Sequence, residues 1–253
     1  MLWYKAWLET RWRFLIGLAV LMCSAAGVVF TYPSVLKLMA LVPSLDVGGE
    51  IGRRIREAAE LAREYRGYVW SQGFGKNLAQ MTTLFAVLLG TGGLFSQSGA
   101  AVFTLSMPAS RNRLFGVRAA AGLGELLVLA VVPSLLIPML SPAIGETYGV
   151  GTALVHSACL FVAGAAFFSL AFLLSTVFSD VWRPLLIALG IAIVLALGEQ
   201  VFREMSRYSM FGLMSGETYF RSGSVPWWGL LAGTAMSAAM LYAAAVNFAR
   251  RDF

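Results

Sequence analysis

Residues 152–178 read TALVHSACLFVAGAAFFSLAFLLSTVF, a run with no acidic side chain, no lysine or arginine, and one histidine, His156. A hydrocarbon layer about 30 Å thick is crossed by roughly 20 apolar residues of helix rising about 1.5 Å each. The run is long enough to cross, and it is apolar all round, so it is read as a transmembrane helix. Comparable runs lie near Phe14–Tyr32, Leu78–Phe95, Val117–Leu140, Pro184–Val201 and Trp227–Ala249. Together they predict about six spans. Pro133 and Pro138 predict a kinked or broken third span, which a bundle tolerates where neighbours satisfy the freed carbonyls.

The composition of the whole chain agrees. Of its 253 residues, 58% are hydrophobic and 13% charged, against about 25% charged in an ordinary soluble domain. With a mean hydropathy of +0.75, too little polar surface remains to cover a water-soluble particle, and lipid must solvate much of the outside. Disorder and a disulfide-stapled secreted domain are excluded on the same ground. Cys23 and Cys159 sit inside apolar runs without CxxC spacing and are read as small buried hydrophobes. The net charge of +6 fits basic residues flanking spans and facing anionic headgroups. No dense basic stripe with interleaved aromatics argues for nucleic acid. The fold class read from these features is an all-α integral membrane protein, with 1–253 as a single transmembrane domain.

Ahead of the first span, Trp3, Tyr4, Trp7, Leu8 and Trp12 recur at helical spacing, with Lys5, Glu9, Arg11 and Arg13 on the other side. This predicts an amphipathic interfacial helix over 1–13, its aromatic side at headgroup depth and its charged side facing water or a partner. Arg11 and Arg13 before an apolar run ending in Ser24-Ala25-Ala26 also resemble a signal peptide. The apolar run continues to Phe30, however, and is read as a retained first span.

The first connection, 33–76, holds the most charged stretch. Ile51, Ile55, Ala58, Ala62, Tyr65 and Val69 follow a helical rhythm, and Glu50 with Arg54, Arg53 with Glu57, and Arg56 with Glu60 are spaced for ion pairs one turn apart. This predicts a solvated helix with one apolar stripe, entered through the break Asp46-Val47-Gly48-Gly49. The last connection, 203–226, carries Tyr208, Phe211, Tyr219 and Phe220 among glycines and serines and is expected to dip into the interface. In the sixth span Gly229, Gly233 and Ser237 form a small-residue face for close helix packing, within or between subunits. The two sides of such a six-span chain carry nearly equal numbers of Lys and Arg, so the positive-inside bias alone leaves the orientation open.

Enzymatic chemistry finds little support. A phosphate-binding GxxxxGK[ST] loop is absent, because Gly75-Lys76-Asn77 lacks the upstream glycine and the hydroxyl. One histidine cannot build an HExxH zinc site, and no GxSxG elbow occurs. The chain is therefore not expected to be an enzyme by itself or to hold a metal. Three ionisable side chains lie within apolar runs, Glu125, His156 and Glu199. Charge in hydrocarbon is costly, so each is a candidate for a translocation path, with neutral packing (His156) and a water-reaching span end (Glu199) as alternatives.

The segment after the second run, residues 96–113, reads SQSGAAVFTLSMPASRNR. It combines a short amphipathic stretch, a proline stop and a Ser-Arg turn leading into a helix. Gly99 to Arg111 resembles the pattern G-T-L-E-x-L-L-x-L-P-V-S-R of the membrane subunits of type-2 ABC transporters, Leu105 to Arg111 lying over its L-x-L-P-V-S-R end. The N-terminal Trp7, Glu9 and Arg11, six spans, and an outer re-entrant segment before the last span extend the likeness. The family's common acidic G-E-x-x-x-G-T entry is replaced here by Ser96-Gln97-Ser98 before Gly99.

The resemblance implies a permease subunit, an exporter by expectation, whose residues 96–116 form a cytoplasmic coupling segment seated in a separate ATP-binding cassette subunit. Gly99, Leu105, Met107, Pro108, Ser110 and Arg111 carry over as contacts or shape-setters. It further implies a second permease chain, identical or merely similar, and ATP and Mg2+ on the partner subunit with no cofactor in this chain. Both termini are then cytoplasmic, the protein is a multi-pass component of the cell (inner) membrane, and 33–76 and 203–226 are extracytoplasmic. An ion-coupled carrier or an intramembrane enzyme, acting without an ATPase partner, is the alternative from the residues alone.

Overall fold

A computed structural model describes residues 2–39, 49, 59–91, 111–178, 180–201 and 209–250. Every regular element among the described residues is helical. Five helices are long and apolar enough to cross a membrane, and we read the chain as a membrane protein. They are α1 (Leu2–Met39), α4 (Arg111–Leu140), α5 (Val150–Val177), α6 (Trp182–Val201) and α9 (Trp227–Arg250). Between α1 and α4 lie α2 (Tyr65–Tyr68), a π-helical stretch Val69–Leu78 and α3 (Ala79–Gly90). Two short helices, α7 (Met210–Ser215) and α8 (Glu217–Ser222), precede α9.

Three of these elements depart from the sequence reading. The amphipathic segment 1–13 and the first span are one continuous helix, which runs through Pro33 to Met39 where the connection was expected to begin. α4 contains both Pro133 and Pro138 without interruption, and beside Pro133 the Ser134 hydroxyl donates to the Ala130 carbonyl at 2.6 Å. The expected second span, Leu78–Phe95, is α-helical in its described part only over the 12 residues of α3, about 18 Å at 1.5 Å per residue. The π-helical stretch of 10 residues extends it toward its N-terminus. Such wide helix is rare and belongs mostly to single-turn bulges.

Contacts fix how the helices run. Tyr32 near the end of α1 stacks edge-on against Tyr65 at 4.9 Å and lies 5.1 Å from Tyr68, while Arg13 near its start reaches Thr91. The run Tyr65–Gly90 is therefore antiparallel to α1. α4 passes Thr10 at Glu125, and Ser141, just beyond its end, meets Tyr65, the two hydroxyls 2.7 Å apart. α9 is parallel to α5, since Gly233 packs on Val162 and the Asn247 amide donates to the Thr176 hydroxyl at 3.0 Å. The starts of α1 and α4 and the ends of α3, α5 and α9 thus share one end of the bundle. The opposite end holds Tyr32, Tyr65, Tyr148 and the α7–α8 pair.

α5 is the central helix. Two thirds of its most apolar window is buried, against 17% for α6 and α9. Without a hydrophobic drive between helices in lipid, packing must come from close approach, and small residues permit it. A Cβ at Gly90 would stand 2.5 Å from the Phe168 carbonyl oxygen, and one at Gly122 2.5 Å from the Phe168 ring. The Gly229-Gly233-Ser237 face of α9 is used inside the subunit, against Leu213 and Val162. Cys159 is buried as expected. Cys23 is exposed, because it lies on the outward face of α1 alongside Ile16 and Val20.

Candidate functional site

α1 carries Glu9, Thr10 and Arg13 on one face, since positions three and four apart on a helix are neighbours. In the structure this face turns into the bundle, and Trp3, Tyr4 and Trp12 stay exposed. The Arg118 guanidinium of α4 donates to Glu9 Oε2 at 2.6 Å, with Arg118 only 7% exposed and Glu9 31%. Arg13 Nη1 donates to the carbonyls of Leu88 and Thr91 at 2.9 and 2.6 Å. A cation on the unpaired carbonyls and partial negative charge of a helix C-terminus is favourable, and Arg13 closes α3 in this way. Thr10 Oγ1 lies 3.1 Å from the Ala6 carbonyl and 2.5 Å from Glu125 Oε1. Glu125 is 6% exposed.

These contacts join α1 to the end of α3 and the start of α4, the two helices that bracket residues 92–110. Of the residues carried over from the coupling motif, Gly99, Leu105, Met107, Pro108 and Ser110 lie outside the described residues, and Arg111 begins α4 without a described side chain. The predicted ion-pair ladder Glu50/Arg54, Arg53/Glu57 and Arg56/Glu60, with Ile51, Ile55 and Ala58, also falls outside them, apart from Glu60. The described part of that stripe, Ala62, Tyr65 and Val69, is buried.

A second concentration of polar and aromatic groups surrounds the α7–α8 pair at the other end. Ser209 accepts from the Gly212 amide at 2.7 Å, and Glu199 Oε1 accepts from the Phe211 amide at 3.1 Å, so two side chains satisfy the start of α7. Met214 is fully buried, and Gly216 turns the chain at φ +65°. A Cβ at Gly216 would stand 2.5 Å from His156 Nδ1. The His156 ring stacks on Phe74 of the π-helical stretch at 4.4 Å and meets Tyr219 edge-on at 5.7 Å. Trp70 lies flat on Phe220 at 4.3 Å and donates its indole N–H to the Ser215 carbonyl at 3.1 Å. Burial pushes the Tyr148 phenol up from its ordinary value. Its hydroxyl has no hydrogen-bond partner among the described residues.

The three ionisable residues expected on a path do not converge. Glu125 sits with Thr10 near the end that holds the start of α1, whereas His156 and Glu199 both touch the α7–α8 pair at the other end. His156 is a packing residue under a hairpin turn, and Glu199 caps a short helix. Sequence reasoning gave no site role to Thr10 or Arg118, and it placed Arg13 only on the charged side of the N-terminal amphipathic segment and ahead of the first apolar run. The signal was present: Arg118 and Glu125 are seven residues, about two turns, apart on one helix face, and Glu9 and Arg13 are one turn apart on the face opposite the aromatics. Among the described residues no group of three or more His, Cys, Asp or Glu side chains is placed to hold a metal ion. Comparison with protein families, with curated proteins and with solved structures finds no match to this chain.

Proposed function

We propose that the chain is the permease subunit of an ATP-driven transporter of the type-2 ABC kind, an exporter that pairs with a second permease chain and with separate ATP-binding subunits. The observation that carries the reading is the α7–α8 pair. Two short helices broken at Gly216 lie between the fourth and the last of the five long apolar helices, α6 and α9. They are seated on His156, Phe74 and Trp70 at the end of the bundle away from the starts of α1 and α4. A re-entrant segment at this place in the chain is what the resemblance implies.

The bracket formed by Glu9, Thr10 and Arg13 around residues 92–110 supports the same reading. A segment that receives force from a partner subunit needs firm attachment at both ends, and α1 provides it through Thr91 and Arg118. In this reading the end that holds the starts of α1 and α4 and the ends of α3 and α9 is cytoplasmic, in the cell (inner) membrane. ATP and Mg2+ belong to the partner. Glu125, buried in an apolar bundle, is the observation that favours the second reading, an ion-coupled carrier working without ATP.

Met107→Asp combined with Arg111→Asp tests the proposal. The double variant inserts normally and loses the co-purifying ATP-binding subunit. Undiminished co-purification would overturn the assignment of the coupling segment.

A further inference from the structure

Residues 69–78 wind more widely than an α-helix. A π-helix bonds each carbonyl to the amide five residues on and turns once in roughly 4.4 residues, against about 3.6 for an α-helix. The side chains that face the bundle show the difference. Val69, Gly73, Phe74 and Leu78 are buried, and Gly75, Lys76 and Asn77 are exposed. At the wide spacing the four buried residues share one face. At about 100° per residue, Val69 and Leu78 would point to opposite sides, and exposed Asn77 would fall between Gly73 and Phe74. A Cβ at Gly75 would stand 3.1 Å from the carbonyl oxygen of Trp70, five residues back, where the wide turn places it.

The wide turns keep two core faces in line. Downstream of Leu78, Thr82, Phe85 and Leu89 of α3 are buried at α-helical spacing. Upstream of Val69, Tyr65 and Tyr68 meet Tyr32, and Tyr65 meets Ser141. Ten residues of π-helix far exceed the usual single turn, and the stretch contains no proline to impose it. Its winding is set by what it touches. Gly73 rests on Val28 of α1, and Phe74 on the His156 ring of α5. Trp70 engages the short α7–α8 pair instead, through its indole N–H on the Ser215 carbonyl and its stack on Phe220. Arg66 of α2 lies over the same Phe220 ring at 5.7 Å. α3 is held at its other end, by the Phe168 carbonyl beside Gly90 and by Arg13 on the Leu88 and Thr91 carbonyls. A change of winding therefore turns α2 rather than α3.

We propose that Val69–Leu78 is a register switch latched by Trp70. With α7–α8 seated, the wide turns hold α2 in line with α3. Release of Trp70 lets the stretch rewind as α-helix. Phe74, one α-helical turn before Leu78, keeps its face, whereas Val69 and α2 rotate by about half a turn, nine residues at about 100° each. Tyr65 then parts from Ser141 and Tyr32, so a movement of α7–α8 is passed to the contacts that join α1, α2 and the end of α4. The inference stands on the contacts of this chain and does not depend on whether an ATPase drives it.

The test is maleimide labelling of the full chain in phospholipid nanodiscs, with the exposed Cys23 replaced by serine and the buried Cys159 kept. One cysteine at a time is placed at Val69, Ser71 or Leu78. With Trp70 intact, Val69→Cys and Leu78→Cys are protected and Ser71→Cys, at a half-buried position, reacts. In Trp70→Ala, Val69→Cys becomes reactive and Ser71→Cys becomes protected, because α-helical winding back from Leu78 brings residue 71 to the core face. Leu78→Cys stays protected, which separates rewinding from general loosening. If Trp70→Ala does not fold, Phe220→Leu, which removes the other half of the stack, carries the test with the same expected exchange. Continued protection of Val69→Cys in the folded variant, or reaction at all three positions together, overturns the proposal.

Discussion

Replacing Gly216 by alanine perturbs the turn between α7 and α8 in two separable ways. The residue has φ +65°, where a side chain costs about 1–2 kcal/mol. The added Cβ would also stand 2.5 Å from His156 Nδ1 and 2.9 Å from Cε1, closer than non-bonded atoms sit. His156 is 1% exposed and stacked on Phe74, so it cannot swing aside without breaking that stack or displacing the hairpin. Overpacking of this kind costs about 1–3 kcal/mol, which brings the sum to about 2–5 kcal/mol. Gly223 provides the control, because it has φ +70° and nothing within 4 Å of an added Cβ. Gly223→Ala carries the backbone cost alone, about 1–2 kcal/mol. Denaturant titration of both variants in detergent reads the difference, and maleimide labelling of Met214→Cys in each background, with the exposed Cys23 replaced by serine, reports whether the hairpin stays seated. Equal losses in the two variants, with Met214→Cys protected in both, would refute the claim that Gly216 is required by its contact with His156.

Gly90→Ala should cost about 1–3 kcal/mol, since its Cβ meets the Phe168 backbone oxygen, which has no rotamer to escape through. Gly116→Ala, with nothing within 4 Å, should be neutral or gain up to about 1 kcal/mol from helix propensity; thermal melts of the two compare them. Glu9→Gln should cost about 1–3 kcal/mol by removing the Glu9 charge that Arg118 donates to, less than a fully buried pair because Glu9 keeps 31% exposure. The swap Glu9→Arg with Arg118→Glu should recover part of that loss in a double-mutant cycle. Glu199→Gln keeps an acceptor for the Phe211 amide and should change stability little. Glu199→Leu orphans that amide and should cost about 1–3 kcal/mol by denaturant titration.

The long apolar helices were legible because lipid imposes one strong constraint, a continuous apolar run of about 20 residues. Residues 152–178 against Val150–Val177, and 227–249 against Trp227–Arg250, differ only by frayed ends. Pro33 misled as a stop because a proline within a helix costs one backbone hydrogen bond and kinks the chain rather than obliging it to end. The π-helical stretch Val69–Leu78 leaves no periodic mark in ten residues containing Gly73 and Gly75. Cys23 was misjudged because a helix with one face in lipid exposes apolar residues as readily as it buries them. At the candidate sites, single residues could be flagged by the cost of charge in hydrocarbon, but partners could not. That Glu125 meets Thr10 and that His156 lies beneath Gly216 are tertiary facts, set by which helices touch.

The account's central claim, that this chain is one part of an ATP-driven assembly, is tested most directly by affinity purification from its native membrane in mild detergent. Mass spectrometry then identifies everything that remains bound, and ATP hydrolysis is assayed in the same preparation. The account predicts a stoichiometric protein with a phosphate-binding loop and hydrolysis in the complex. The chain recovered alone after cross-linking, without ATPase activity, would contradict it.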